Sequence, residues 1–177
     1  MNKEKEWYVI TGGPCSGKTT LIENLEKMGY SVMHEVARSL IESELRAGKT
    51  KDMVRSDDKA FQKKLLRMKM EAERNIPEKK IVFLDTAIPD SIPYFIISGI
   101  NFDERTMKIF KKKPYKKIFL LEQLPLQKED NVRIEDDQLC VRINRLIYET
   151  YSSLGYEIIN IPILTLEERT RLILGKI

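Results

Sequence analysis

Cysteine, tryptophan and histidine are nearly missing from this chain of 177 residues, which has two cysteines, one tryptophan and one histidine. Two cysteines, Cys15 and Cys140, do not make a disulfide framework, so a reducing, cytoplasmic setting is expected. His34 stands alone and is given no role. Long apolar runs are absent too: none approaches the roughly 20 residues that span a bilayer, which excludes a membrane helix. Met1 leads into Asn-Lys-Glu-Lys-Glu, which lacks the apolar core of a signal peptide, and the expectation is a soluble, intracellular protein. Charge of one sign hardly prevails, with 31 Lys+Arg against 27 Asp+Glu and a net charge of +4. That balance suits a protein handling anions such as nucleotides and is too weak to demand nucleic acid. No repeat, linker or low-complexity tract divides the chain, so residues 1–177 are read as a single domain.

What is present is an alternation of two patterns. Short runs rich in β-branched and aromatic residues occur at Trp7–Thr11, Tyr30–Met33, Lys80–Asp85, Lys117–Leu121 and Glu157–Ile161, each of strand length. Helical periodicity lies between them. Thr19–Met28 repeats Leu21, Ile22, Leu25 and Met28 before Gly29, and Glu35–Ala47 repeats Val36, Leu40, Ile41 and Leu45 before Gly48. Ser56-Asp57-Asp58 offers an N-cap for a long helix to about Asn75, Leu139–Leu154 stops at Gly155, and Thr165-Leu-Glu-Glu168 reads as a capping box. Unbroken apolar strands alternating with helices imply α/β architecture: a five-stranded parallel sheet covered on both faces, with ligands at the carboxyl ends of the strands.

Gly12-x-x-x-x-Gly17-Lys18-Thr19 fits the phosphate-loop (Walker A) pattern, with an apolar strand running in and an amphipathic helix running out. Its residues Gly12, Gly13, Pro14, Cys15, Ser16, Gly17, Lys18, Thr19 and Thr20 are the expected nucleotide cradle, with N–H groups and a helix dipole turned towards a polyphosphate. Lys18 is expected on the β- and γ-phosphates and the Thr19 hydroxyl on Mg²⁺. Mg²⁺ also calls for a carboxylate from a neighbouring strand end, and "KKIVFLD" closes on Asp85. The plainer reading of Asp85 is a cap on the next turn; Glu35, after the second strand, is the other candidate acid. Cys15 is either a reactive thiol near a helix start or a spacer.

The chain resembles the small P-loop kinases and ATPases that include the ribosylnicotinamide kinase domain of NadR. "GGPCSGKTT", "HEVARSLI", "FLDTAIPD", "EDNVRIED" and "YEIINIP…LEERTRLIL" carry the likeness over nearly the whole length. The resemblance implies a three-layer P-loop NTPase fold of the nucleoside/nucleotide-kinase type. It also places Glu35 and Arg38 at the acceptor side, Asp85 beside Mg²⁺ and the acceptor hydroxyl, and Asp90 nearby. Asp130 and Arg133 fall in a lid. Asn131 stands where the family often has Gly, and Thr86 follows the Asp-Thr form of the strand-end motif instead of Asp-Arg.

Residues 123–138 form the one long polar segment inside the domain and read as a lid or a disordered loop. A closing lid brings an arginine onto the charge that builds during phosphoryl transfer; Arg133, and Arg142 on the next helix, are the candidates, against surface pairing with Glu135, Asp136 and Asp137. "FKKKPYKKIF" concentrates five lysines but precedes the fourth strand, at the end of the sheet away from the loop. "KKLLRMKMEAER" is read as a solvated amphipathic face with its Leu and Met packed inward. The function expected is an ATP- (or GTP-) and Mg²⁺-dependent kinase of a small-molecule acceptor. A nucleotide switch that binds a partner protein is the alternative, and a nucleic-acid end kinase, resting only on the lysine cluster, comes third.

Overall fold

The computed structural model describes residues 5–50, 53, 57–77, 81–110, 114–124 and 137–177. Five strands, β1 (Trp7–Thr11), β2 (Ser31–Met33), β3 (Val82–Asp85), β4 (Tyr115–Leu121) and β5 (Ile158–Ile161), form one sheet in the order β2-β3-β1-β4-β5. All four pairings are parallel. The three-layer P-loop fold expected above is what the chain adopts.

β1 lies in the middle, and all five of its residues are buried because both of its edges are paired and both of its faces are covered. Its alternation divides the core in two. Trp7 and Val9 join Val82, Leu84, Ile118, Leu120, Ile143, Ile147 and Tyr151 on one face. Tyr8 and Ile10 join Leu21, Ile22, Leu25, Phe83, Phe119 and Ile173 on the other. Helices α1 (Lys18–Lys27) and α7 (Leu166–Leu174) cover the second face, and α6 (Asp137–Ser153) covers the first.

Helix ends follow their local chemistry. Gly29, at φ +92°, closes α1, with Gly29 N–H donating to Glu26 O (2.9 Å) and Tyr30 N–H to Leu25 O (3.1 Å). Asp57 caps α3 (Asp58–Arg74) by accepting from Ala60 N–H at 3.0 Å. Thr165 and Glu168 form the expected capping box on α7. Helix α2 (Val36–Arg46) packs on α3 through Val36, Leu40, Phe61 and Leu65.

Two short helices were not legible as periodic segments: α4 (Ser91–Ile97) and α5 (Glu104–Phe110). Each has seven residues, and Pro93 sits in the first turn of α4, where a missing N–H costs nothing. They are held by Phe95, Phe102 and Phe110, stacked or edge-on with ring centres 5.8–6.3 Å apart.

The solvated face expected along α3 is present, with Lys63, Lys64, Arg67, Glu71 and Arg74 exposed and Leu65 and Leu66 buried, but two of the charged residues depart from it. Lys69 and Glu73, one turn apart, are both 4% exposed. They are drawn inward by a single-turn 3₁₀ helix (Ile88–Asp90) whose backbone needs partners: Glu73 accepts from Ile88 N–H (2.9 Å), and Lys69 donates to Ala87 O (3.3 Å). Tyr115 O–H completes the arrangement at 2.7 and 2.9 Å from the two Glu73 oxygens. Of the lysine cluster, residues 111–113 lie outside the described residues; Lys116 and Lys117 lie at the amino end of β4, as expected, with Lys116 paired to Glu6 (3.2 Å) and Lys117 donating to Lys176 O (2.5 Å). Among the described residues no helix is long and apolar enough to cross a membrane.

Glu73→Ala strands a buried N–H and a buried phenol, and a loss of about 3 kcal/mol in unfolding free energy is expected from urea titration. Glu73→Gln, which still accepts from Ile88, is expected to lose less than half of that.

Candidate functional site at the carboxyl edge of the sheet

The loop after β1 turns back so tightly that its glycines are required by space. A Cβ at Gly12 (φ +147°) would stand 2.7 Å from Leu121 O and 2.9 Å from Ser16 Oγ; one at Gly13 would stand 3.0 Å from Cys140 O. Cys15 occupies the left-handed region at φ +61°, completing the curl. Lys18, the first residue of α1, returns over the loop, its ammonium donating to Gly12 O (3.0 Å) and Gly13 O (2.9 Å) and lying 3.4 Å from Ser16 Oγ. α1 has no side-chain N-cap bond and no acidic residue in its first turn, so its leading amides and dipole face outward with no competing anion. Pro14, Cys15 and Thr19 are half-buried beside the loop, and Thr20 is exposed.

Two residues that were not expected hold this loop. Asn144, on α6, accepts from Gly13 N–H at 3.0 Å. Arg169, on α7, donates to Ser16 O (2.7 Å), Pro162 O (3.0 Å) and Glu122 O (3.4 Å), thereby joining the loop to the ends of β4 and β5. In the sequence both look like ordinary polar positions on a helix surface, and no local signal separates them from their neighbours.

The acid side is built by strand register. Ile10 and Asp85 are paired across β1 and β3, and Thr86 N–H donates to Ile10 O at 3.0 Å, so Asp85 ends its strand level with the start of the loop. Asp85 is buried, and its Oδ1 has no hydrogen-bond partner among the described residues. Thr86 stands at φ +59°, which is strained for a β-branched residue, and its buried hydroxyl is unpartnered as well. Glu35 precedes α2, just past β2, and is half-buried; Arg38, three residues on, is exposed. Asp90 is placed differently from the acceptor-side role the resemblance implies. It is 1% exposed and accepts from the Thr11 hydroxyl, from Ala87 N–H (2.7 Å) and from Tyr151 O–H (2.5 Å). Its oxygens thus tie β1, the turn after Asp85 and α6 together.

Arg142 is exposed on α6, whereas Asp130, Asn131 and Arg133 lie outside the described residues. The segment leading to them starts against the loop, where Leu124 N–H donates to Cys15 O at 3.3 Å. Among the described residues no group of three or more His, Cys, Asp or Glu is arranged to hold a metal ion.

Burial pushes the Asp85 carboxyl up to about 7, reinforced by the negative charge of Glu35 and then of Asp90, while Lys18 and Lys69 pull it back. Desolvation also draws the Arg169 guanidinium below its ordinary range, against the pull of Glu122. For Asp85 the linkage has a definite sign. The folded chain keeps its proton to about neutral pH, whereas the unfolded chain releases it near 3.8, so the associated stability is lost as pH rises through about 7. The ligand-free protein is therefore expected to melt lower at about pH 8 than at about pH 5, and Asp85→Asn should flatten that slope in thermal denaturation.

Comparison with known proteins places this geometry. No curated protein matches the chain in sequence. Among solved structures, NadR in complex with NR superposes with a TM-score of 0.69 at 19% identity, covering 89% of this chain and 46% of NadR. The chain thus spans about half the length of NadR. Thymidylate kinase from Ehrlichia chaffeensis gives 0.68 at 15% identity over 98% of this chain and 99% of its own. Deoxyadenosine kinase from M. mycoides with bound dCTP gives 0.63 at 15% over 96% and 97%. These likenesses establish the fold, that of the P-loop nucleoside and nucleotide kinases. A family model described as an AAA domain matches residues 7–169, and the chain belongs to that family of P-loop proteins.

Proposed function

We propose that this chain is a kinase that moves the terminal phosphoryl group of ATP, or of another purine triphosphate, onto a hydroxyl of a small molecule. One observation carries the reading: a buried strand-end carboxyl, Asp85, held level with the phosphate loop and uncommitted at Oδ1. A second acid, Glu35, stands on the same edge, where it can orient an acceptor hydroxyl. The related folds include enzymes named for a nucleoside and for a nucleotide, and NadR with bound NR, all compatible with a nucleoside-like acceptor.

The residues present fit a magnesium ion. An unpaired buried carboxyl oxygen stands at the end of β3, Thr19 lies in the first turn of α1, and Mg²⁺ at nucleotide sites takes only one or two protein oxygens, with phosphate and water supplying the rest. Thr19 and Asp85 would hold it, and when bound it neutralises charge on the phosphates. The chain's own residues supply the remainder. The main-chain N–H groups from Cys15 to Lys18 and the Lys18 ammonium hold and orient the phosphates. Asp85 or Glu35 orients the acceptor hydroxyl and takes its proton as its oxygen bonds to the γ-phosphorus and the bond to the ADP oxygen breaks. Glu35 and Arg38 are assigned to the acceptor; Asp130 and Arg133, outside the described residues, are assigned to the lid on the resemblance alone, and Arg133 with Arg142 on α6 to the developing phosphoryl charge. Neither Cys15 nor Cys140 is in a disulfide, which suits a reducing, cytoplasmic compartment.

ADP release, measured with magnesium and a panel of nucleosides and nucleoside monophosphates, is expected to rise well above the rate with water alone. A flat response across the panel removes the kinase reading. Lys18→Ala is expected to abolish the activity without unfolding the protein. Asp85→Asn should lower acceptor-dependent turnover by about a hundredfold or more.

A further inference from the structure

Arg169 is a buried cation for which the proposed chemistry has no use. It is 4% exposed, and all three of its hydrogen bonds go to main-chain carbonyls, those of Ser16, Pro162 and Glu122. Carbonyls satisfy its N–H groups but leave its charge uncompensated. Among the described residues no carboxylate lies within ion-pair distance of it, and Glu122, which draws on it electrostatically, is itself exposed. Buried charges are ordinarily paired, because an unpaired ion loses its hydration with nothing in return.

The surroundings indicate where the missing partner belongs. A Cβ at Gly17 would be 3.4 Å from Nη1 of Arg169, so the guanidinium stands directly behind the last glycine of the phosphate loop. The Lys18 ammonium lies over the same loop, and the first turn of α1 contributes no acid. Positive charge therefore converges on the loop from three sources, while the acids Glu35, Asp85 and Asp90 collect on the neighbouring strands β2 and β3 and the turn after them.

We infer that Arg169 is an electrostatic and positioning residue of the phosphate site: a fixed positive charge behind the loop whose counter-ion is the bound polyphosphate. It also pins Ser16 O, which through the planar peptide sets the direction of the Gly17 N–H. The inference rests on nucleotide binding at the loop as proposed above, but not on phosphoryl transfer.

Calorimetry with ADP and with ATP on the wild type, Arg169→Lys and Arg169→Gln tests it. Arg169→Gln is expected to weaken both nucleotides about ten-fold or more, as loss of a charged partner does. Arg169→Lys should stay within about three-fold of the wild type, because it keeps the charge, although both variants lose the fork and melt earlier. Equal affinity in all three proteins overturns the inference. Equal weakness of the Lys and Gln variants also overturns it, reducing Arg169 to a strap between β4, β5 and the loop. Should the Gln variant not fold, the Arg169 Nε–H resonance of the wild type serves instead. A shift and slower exchange on adding ADP are expected, and an unmoved signal overturns the counter-charge. A wild type that binds neither nucleotide removes the proposed function along with this inference, whereas binding that Arg169→Gln leaves intact removes this inference alone.

Discussion

The carbonyl of Leu121 lies 2.7 Å from where any side chain at position 12 would begin. That contact forces β1 to be followed by glycine, and the tight path that results turns Gly12 O and Gly13 O towards the ammonium of Lys18. The site depends on this approach of loop to strand. It needs β4 beside β1, which the strand order provides, and it needs α6 close enough for Asn144 to reach Gly13 N–H. A loop placed one strand further away would have no reason to curl and would not gather its amides.

A second constraint fixes the acid relative to the loop. Register alone puts Asp85 opposite Ile10, but the turn after it contains a threonine at φ +59°, a conformation that costs about 1–3 kcal/mol and persists only where neighbours impose it. The neighbours are identifiable. Thr86 N–H is held by Ile10 O, Ala87 N–H and the Thr11 hydroxyl by Asp90, and Ala87 O by Lys69. Asp90 also takes the Tyr151 hydroxyl, so α6 touches the phosphate loop through Asn144 and the acid turn through Tyr151. The same helix follows directly on the segment read as a lid, and so any displacement of it would be felt on both sides of the site.

Much of the fold was legible because its signals are local. Five apolar runs became five strands, and the glycine stop after α1 and the Thr165–Glu168 box fell where the pattern put them. The phosphate loop was legible for the same reason: its steric demands are written in consecutive residues. Illegible were α4 and α5, too short for a period to emerge, and the inward turn of Lys69 and Glu73, whose i, i+4 charges read as solvent-facing until the 3₁₀ turn supplied buried partners. Asp90 was placed near the acceptor by resemblance, and the fold makes it a three-way internal acceptor.

By itself the sequence determined the class of architecture, the presence of a loop shaped for phosphates and the strand end carrying its acid, since each depends on residues within a turn or two of one another. Tertiary structure alone decided that Asn144 and Arg169, 131 and 153 positions from their loop partners, brace that loop, and that Tyr151 and Thr11 meet at Asp90. The reason is physical: a side chain's partner across the fold is set by how strands order and helices dock, and no periodicity within one segment records which distant backbone group it will meet.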